Sequence, residues 1–202
     1  MITAIQNLLN VWAEAFDLPI LEWIQANIAN PFLDFIMPWI TLLGDAGIFW
    51  ILCAIVLLFI PKYRKVGLGM GIAMAMGLLI CNVIMKPIIA RPRPYDYQFE
   101  HFAKEIILLI EAQHDYSFPS GHTIASFEAA TVLLMNSKKM GIPAYILAIL
   151  IAFSRLYLYV HYPTDVIASI ILGTLFALIG NGLAAVIAPK LRFGKRGKYE
   201  AR

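Results

Sequence analysis

The chain has 202 residues, of which 60% are apolar and only 14% are charged, and its formal net charge is +3. A soluble globular domain has about 25% charged residues, so this composition excludes an ordinary soluble protein and indicates several membrane-spanning helices. The modest positive charge gives no reason to expect a nucleic-acid partner.

The N-terminal residues 1–30 combine apolar and acidic side chains. Leu8 and Trp12 are interspersed with Glu14 and Asp17, a pattern typical of an amphipathic helix that lies in the membrane interface without crossing it. No basic stretch with a small-residue cleavage site opens the sequence, so we do not expect a removable signal peptide.

Six apolar segments follow, separated by charged or Gly/Pro-rich breaks, and we predict that each crosses the membrane. Their ranges are 32–43, 48–60, 66–85, 121–135, 142–160 and 163–188. The break at 44–47 predicts a hairpin between the first two. The predicted fold is all-α, a six-transmembrane-helix bundle in a single domain over 1–202. The amphipathic segment precedes a core at about 32–188, and a basic tail, 189–202, follows it.

The distribution of cations predicts the orientation of the bundle. If the helices alternate in direction, five of the 16 Lys and Arg residues lie on the side of the 87–119 loop, and the remaining eleven lie on the opposite side. Loops rich in Lys and Arg stay in the cytoplasm. We therefore predict a cell-membrane protein whose C-terminal tail is cytoplasmic and whose 87–119 loop is extracytoplasmic.

Polar residues form three clusters at the edges of the predicted spans. The first contains Lys86 and Arg93-Pro94, whose cations suit phosphate oxygens but also occur at helix ends as anchors to lipid headgroups. The second is Pro119-Ser120-Gly121-His122, where Ser120 is a candidate N-cap and the backbone amides favour an anion. His122 is either a proton donor to a leaving oxygen or an ordinary first-turn histidine.

The third cluster contains Ser154-Arg155, His161 and Asp165. An offset of four residues places His161 and Asp165 on one helical face. The carboxylate can then hold the proton of one imidazole nitrogen and leave the other free to attack phosphorus. The alternative is an interfacial histidine beside an aspartate that caps a helix, and Asp165 can fill both roles. Ionisable residues so close to membrane spans favour a functional site.

Together, the spacings Lys-x6-Arg-Pro, Pro-Ser-Gly-His and Ser-Arg-x5-His-x3-Asp resemble in full the signature of the type-2 phosphatidic acid phosphatase superfamily. The resemblance implies a phosphatase that uses neither a metal nor a cofactor. In it His161 is the nucleophile and forms a phosphohistidine, Asp165 polarises His161, and His122 protonates the leaving group. The residues implied to bind the phosphate are Lys86, Arg93, Ser120, Gly121 and Arg155.

The implied substrate is a membrane lipid phosphate or pyrophosphate: phosphatidylglycerol phosphate, phosphatidic acid or undecaprenyl pyrophosphate. Some family members that act on carrier pyrophosphates have Asp where this chain has Gly121, and this difference favours phosphatidylglycerol phosphate. The alternatives are a phosphatase of soluble esters, a haloperoxidase-like site and a non-enzymatic lipid-binding scaffold. A scaffold has no need for the paired His161 and Asp165.

The remaining polar residues carry weaker signals. The loop histidines His101 and His114, with the acidic residues Glu105, Glu111 and Asp115 nearby, are predicted to lie at the surface. Asp45 is predicted to form a turn on the same face as the three clusters. Both cysteines lie inside apolar segments, which predicts neither a disulfide framework nor a zinc site.

Overall fold

The computed structural model describes residues 2–190, and the side chains from residue 6 onward. All regular elements within this range are helical, so the all-α prediction is confirmed. An N-terminal segment comprises α1 (Ile2–Trp12), a π-helical turn (Ala13–Asp17) and α2 (Leu18–Asn27). The remaining helices are α3 (Pro31–Leu42), α4 (Ile48–Phe59), α5 (Arg64–Met76) with a π-helical continuation (Gly77–Met85), α6 (Lys86–Ile89), α7 (Pro94–Phe102), α8 (Gly121–Asn136), α9 (Lys138–Tyr157) and α10 (Pro163–Ile187).

Four helical stretches of the described chain are long and apolar enough to cross a membrane: Pro31–Phe59, Arg64–Phe102, Lys138–Tyr157 and Pro163–Ile187. They support a multi-pass membrane protein. The segments predicted as the first two spans share one of these stretches, as α3 and α4 of 12 residues each. At 1.5 Å per residue each is about 18 Å long, which is less than the roughly 30 Å of the hydrocarbon core. The predicted span 121–135 is also not among the four, because α8 has only 16 residues, about 24 Å. The count of six spans therefore stays a prediction.

The predicted break between α3 and α4 is a short 3-10 turn, Asp45–Gly47. Ala46 has a φ of 47° and Gly47 a φ of 66°, and these left-handed conformations interrupt the helix. The two helices then pack on different partners: α3 contacts α9, whereas α4 contacts α5 and α8.

Helix α8 occupies the centre of the bundle and packs against α5, α9 and α10. Small residues bring these helices close together: a Cβ on Gly173 would lie 2.8 Å from the Ile124 carbonyl oxygen, and one on Gly180 would lie 2.7 Å from that of Gly69. Close approach of this kind is typical of helix packing in membranes. The outer faces are apolar and exposed, as at Ile171.

The directions of the helices bring the three polar clusters to one end of the bundle. At the other end, Asn136 of α8 donates a hydrogen bond to Asn181 of α10 over 2.8 Å, and Gly69 of α5 lies beside Asn181. The end of the α5–α6 stretch, the start of α8, the end of α9 and the start of α10 therefore lie together at the opposite end. Of the predicted tail, residues 191–202 lie outside the described residues.

The N-terminal segment packs against the end that carries the clusters. Its apolar contacts are with tyrosines of α7 and of the α9–α10 connection, and Trp12 and Trp23 remain exposed. The buried face also contains Asp17, which has no solvent exposure. An amphipathic segment that buries a carboxylate needs a polar partner for it, and that partner lies in the site described next.

Candidate active site

A cavity of about 540 Å³ lies where the three clusters meet. Six of the eight predicted site residues line it: Lys86, Arg93, Gly121, His122, Arg155 and His161. The other two, Ser120 and Asp165, are fully buried. The fold therefore brings residues from α6, α8, α9 and the α9–α10 connection into one site.

His161 is buried in the turn between α9 and α10, with its two ring nitrogens in different surroundings. Nε2 lies 3.2 Å from Nη1 of Arg93. Because a guanidinium can only donate hydrogen bonds, Nε2 accepts, and the neutral ring carries its proton on Nδ1. Nδ1 lies 3.4 Å from Oδ2 of Asp165. The arrangement leaves a lone pair on Nε2 at the cationic wall of the cavity.

The electrostatic surroundings keep this imidazole neutral. Burial, followed by the positive charges of Arg93, Arg155 and Lys86, lowers the pKa of His161 well below its ordinary value. A neutral ring is the form that can act as a nucleophile.

Asp165 is held in place from several directions. Its Oδ1 accepts a hydrogen bond from Nη1 of Arg91 over 2.5 Å. Its Oδ2 accepts one from the Ser117 hydroxyl and one from the backbone N–H of Tyr162 at 3.0 Å. The Tyr162 bond caps the start of α10, so Asp165 both ends the turn and faces His161.

Arg91 connects Asp165 to the N-terminal segment. Its Nη2 donates to Oδ2 of Asp17 over 2.7 Å, and its guanidinium lies 3.7 Å from the centre of the Tyr162 ring. Asp17 also accepts bonds from the Thr164 backbone N–H at 2.9 Å and from the Thr164 hydroxyl at 2.7 Å. No local pattern in the sequence indicates that Arg91 or Asp17 belongs to the site. The two lie 74 residues apart, and no spacing rule connects them.

Asp115 contacts both cations of the first cluster. Its carboxylate pairs with Nζ of Lys86 and with Nη2 of Arg93, and its carbonyl oxygen accepts from Nε of Arg93 over 2.9 Å. Burial works to raise the pKa of Asp115, but the bonds to Lys86 and Arg93 outweigh it and lower the pKa to about 2. The side chain is 54% exposed, as the surface prediction implies, but that prediction missed its role in the site.

Arg155 presents free hydrogen-bond donors at the cavity. Its Nη1 donates to the Thr41 hydroxyl over 2.6 Å. Its Nε and Nη2 are buried and have no hydrogen-bond partner among the residues that the structure describes. Asp45, predicted on this face, lines the same cavity. Unpaired donors of a buried guanidinium are suited to the oxygens of a phosphate.

Ser120 and Gly121 form the start of α8. The Ser120 hydroxyl accepts bonds from the N–H and the hydroxyl of Thr123, at 3.4 and 3.0 Å, so Ser120 is the N-cap. Gly121 lies at the cavity, where a Cβ would come within 3.3 Å of Asn82. The ring of His122 follows and packs beside Gly44.

The cysteines and acidic side chains of the described residues form neither a disulfide nor a metal-binding group. Cys53 and Cys81 are free thiols. Within residues 2–190, no three His, Cys, Asp or Glu side chains are grouped so that they could hold a metal ion.

Comparison with known proteins identifies the family of this chain. The family model described as the PAP2 superfamily matches residues 65–185. An undecaprenyl-diphosphatase of Sulfolobus acidocaldarius is 37% identical over 126 residues, which are 62% of this chain and 58% of that protein. The undecaprenyl-diphosphatase BcrC of Bacillus subtilis is 33% identical over 160 residues, 79% of each chain.

A solved structure supports the same fold. The crystal structure of a transmembrane PAP2 type phosphatidylglycerolphosphate phosphatase from Bacillus subtilis superposes with a TM-score of 0.63 at 24% identity, over 96% of this chain and 98% of that one. The chain therefore belongs to the PAP2 superfamily. Its activity class is that of the phosphatases it resembles, a hydrolase of lipid phosphates.

Proposed function

We propose that this protein hydrolyses a membrane lipid phosphate or pyrophosphate through a phosphohistidine on His161, with no metal or cofactor. One observation carries the proposal: Nε2 of His161 lies 3.2 Å from Arg93 while Nδ1 faces Asp165. A buried imidazole with an oriented lone pair, beside a cation that can hold a phosphate, is the arrangement that nucleophilic attack on phosphorus requires.

In the first step, Nε2 of His161 forms a bond to the terminal phosphorus as the bond from that phosphorus to the departing oxygen breaks. His122 donates a proton to the departing oxygen, which leaves as the lipid hydroxyl when the substrate is a monophosphate and as the lipid monophosphate when it is a pyrophosphate. The carboxylate of Asp165 stabilises the charge that develops on the His161 ring.

In the second step, water attacks the phosphorus of the phosphohistidine and His122 takes the water proton. The bond between phosphorus and nitrogen breaks, and inorganic phosphate leaves. Throughout, Lys86, Arg93 and Arg155 hold the non-bridging oxygens, because preorganised donors stabilise charge in the transition state. The Gly121 amide at the helix start adds to this set, and the Ser120 cap keeps that helix start in position.

The substrate belongs to one of three classes: phosphatidylglycerol phosphate, phosphatidic acid and undecaprenyl pyrophosphate. The names of two relatives support the pyrophosphate, whereas Gly121 and the name of a third, phosphatidylglycerophosphatase B of Bacillus subtilis, support phosphatidylglycerol phosphate. The apolar lower wall of the cavity favours a lipid over a soluble ester. Release of phosphate by the purified protein from all three lipids in one detergent ranks them. A faster release from small soluble esters would overturn the lipid assignment.

We further propose that the site is extracytoplasmic and the C-terminal tail cytoplasmic. Of the Lys and Arg residues that the structure describes, six belong to the bundle end opposite the three clusters and five to the end that carries them. The sequence has five more after residue 190, and cation-rich connections remain in the cytoplasm. Two single-cysteine variants in a background without Cys53 and Cys81 test this: Ile107→Cys in the loop and Lys190→Cys at the other end. A membrane-impermeant maleimide should label only the first in intact cells. Labelling of only the second would reverse the orientation.

Replacement of the nucleophile tests the mechanism. His161→Ala should lower lipid phosphatase activity at least 1,000-fold, on the order of the loss of a covalent nucleophile, and should abolish the acid-labile protein-bound phosphate formed from labelled substrate. The matched control is His101→Ala, because His101 stacks on Tyr97 outside the cavity. A His161→Ala protein with wild-type activity would refute the mechanism, whereas a wild-type protein that releases no phosphate from any of the lipids would favour a lipid-binding scaffold. Loss of wild-type activity in a chelator would contradict a metal-free reaction.

A further inference from the structure

A carboxyl group that the proposed reaction does not use lies in the wall of the cavity. Glu128 of α8 is 1% exposed and is one of the residues that line the cavity. Its Oε1 atom has no hydrogen-bond partner among the described residues, although the carboxyl lies against the backbone of Gly77. A buried polar atom without a partner is costly, so a ligand that supplies one is stabilised there.

The absence of a side chain at Gly77 makes room for this carboxyl. A Cβ on Gly77 would overlap Oε1 of Glu128. No described cation forms a salt bridge with Glu128, and an ionised carboxylate in apolar surroundings is strongly disfavoured without one. The group that the cavity presents is therefore the neutral acid, which both donates and accepts hydrogen bonds.

The depth of Glu128 below the phosphate site indicates which part of a lipid it meets. Glu128 lies six positions after His122 in α8, which places it about 9 Å further along the helix axis. The cavity continues past it to Gly67 and Leu58 between α4 and α5. From Gly77, which lies beside Glu128, the helix runs ten residues to Gly67, about 15 Å at 1.5 Å per residue, which is half of the roughly 30 Å hydrocarbon core. The part of the cavity below Glu128 therefore has about the depth of one leaflet, the length of a lipid tail.

A lipid phosphate bound with its phosphorus beside His161 places different chemistry at this depth, according to its class. A glycerolipid has glycerol oxygens and ester carbonyls in this region, whereas a polyprenyl phosphate or diphosphate has only hydrocarbon. A carbonyl oxygen can accept the proton of a neutral carboxyl. A hydrocarbon leaves the carboxyl unpaired, and this lowers affinity.

We propose that Glu128 determines specificity, by hydrogen bonding to the ester or glycerol oxygens of a glycerolipid phosphate and so selecting it over polyprenyl substrates. This proposal rests on the proposed function, because it concerns the lipid part of the substrate whose phosphate is cleaved at His161.

Two substitutions at Glu128 test the proposal with three phosphate monoesters: phosphatidic acid, farnesyl phosphate and para-nitrophenyl phosphate. Glu128→Leu should lower kcat/KM for phosphatidic acid about tenfold, the effect of losing one buried hydrogen bond, and should leave farnesyl phosphate unchanged or faster. Glu128→Gln keeps both a donor and an acceptor and should retain the wild-type preference. The same change in kcat/KM for all three substrates, or none, would overturn the specificity role.

A second pair of variants does not alter Glu128 itself. Gly77→Ala should displace the carboxyl and reproduce the selective loss on phosphatidic acid. Gly71→Ala is the matched control, because Gly71 lines the same cavity and a Cβ there meets no atom within 4 Å. Equal behaviour of the two variants would contradict the proposal. A wild-type protein that hydrolyses neither lipid would overturn the proposed function itself, and the specificity role with it.

Discussion

Replacement of Asp17 by Asn tests whether the N-terminal segment contributes to catalysis. Asp17 is fully buried and pairs with Arg91 at 2.7 Å, and Arg91 in turn binds Asp165. In the variant, Arg91 keeps Asp165 as its one described carboxylate partner. The positive charge of Arg91 is then less compensated close to His161, and Asp165 supports the nucleophile less well.

The expected magnitudes follow from burial and connectivity. Removal of one partner of a buried ion pair costs about 3–5 kcal/mol, and the lower end applies because Arg91 retains Asp165. The side-chain oxygen of Asn can still accept the bond that the Thr164 backbone N–H donates to Oδ1 of Asp17, so we expect a folded protein with a lower Tm. For Asp17→Asn we expect kcat to fall about tenfold, which corresponds to a loss of about 1.4 kcal/mol in transition-state stabilisation.

The assay is phosphate release from lipid as a function of pH. Because Asp17→Asn removes a negative charge from the network, it should lower the pKa of His161 further. His161 must be unprotonated to attack, so the acidic limb of the kcat profile should move to lower pH. The matched control is Glu14→Gln in the same segment, because Glu14 accepts a bond from the Tyr97 hydroxyl over 2.7 Å and has no contact with Arg91. The control should retain kcat within about twofold.

One result would refute this reasoning. If folded Asp17→Asn keeps both the wild-type kcat and the wild-type pH profile, the segment acts as an anchor and the network of Asp17, Arg91 and Asp165 has no catalytic consequence. A double-mutant cycle with Asp165→Asn separates the cases, because coupled residues give a non-additive loss.

Three further predictions concern the cations that we propose bind the phosphate. Asp115→Asn should lower KM several-fold, because the Asp115 carboxylate competes with substrate for Lys86 and Arg93; an increase in KM would mean that Asp115 positions these cations instead. The pKa of Asp115 is lowered from 3.8 to about 2, so its pairing should stabilise the fold above about pH 4 and be lost between pH 4 and 2, measured as a loss of Tm that Asp115→Asn lacks. Arg155→Lys should lower kcat/KM about 10- to 100-fold, because it removes the free guanidinium donors. The control Thr41→Val removes only the partner of Nη1 and should change kcat/KM less than threefold. Equal losses in the two variants would mean that Arg155 acts through packing.

Much of the site could be predicted from sequence because its signals are local. The interval from His161 to Asp165 is one turn of helix, and Ser120 precedes an apolar helix as an N-cap does. The helical content follows equally from the long apolar segments, which must satisfy their backbone groups internally in a membrane. The number of spans did not follow, because α3 and α4 are each too short to cross alone and only their packing decides how they are arranged.

Sequence alone determined the helical class of the fold, the single end of the bundle at which the clusters meet and the side chains that we propose carry the chemistry. The tertiary structure decided how those side chains are held. Asp17, Arg91 and Asp115 enter the site through contacts between distant segments, and Glu128 lines the cavity only because Gly77 lies opposite. Local periodicity cannot specify such contacts, since they depend on which helix faces pack together and which buried charges find a partner there.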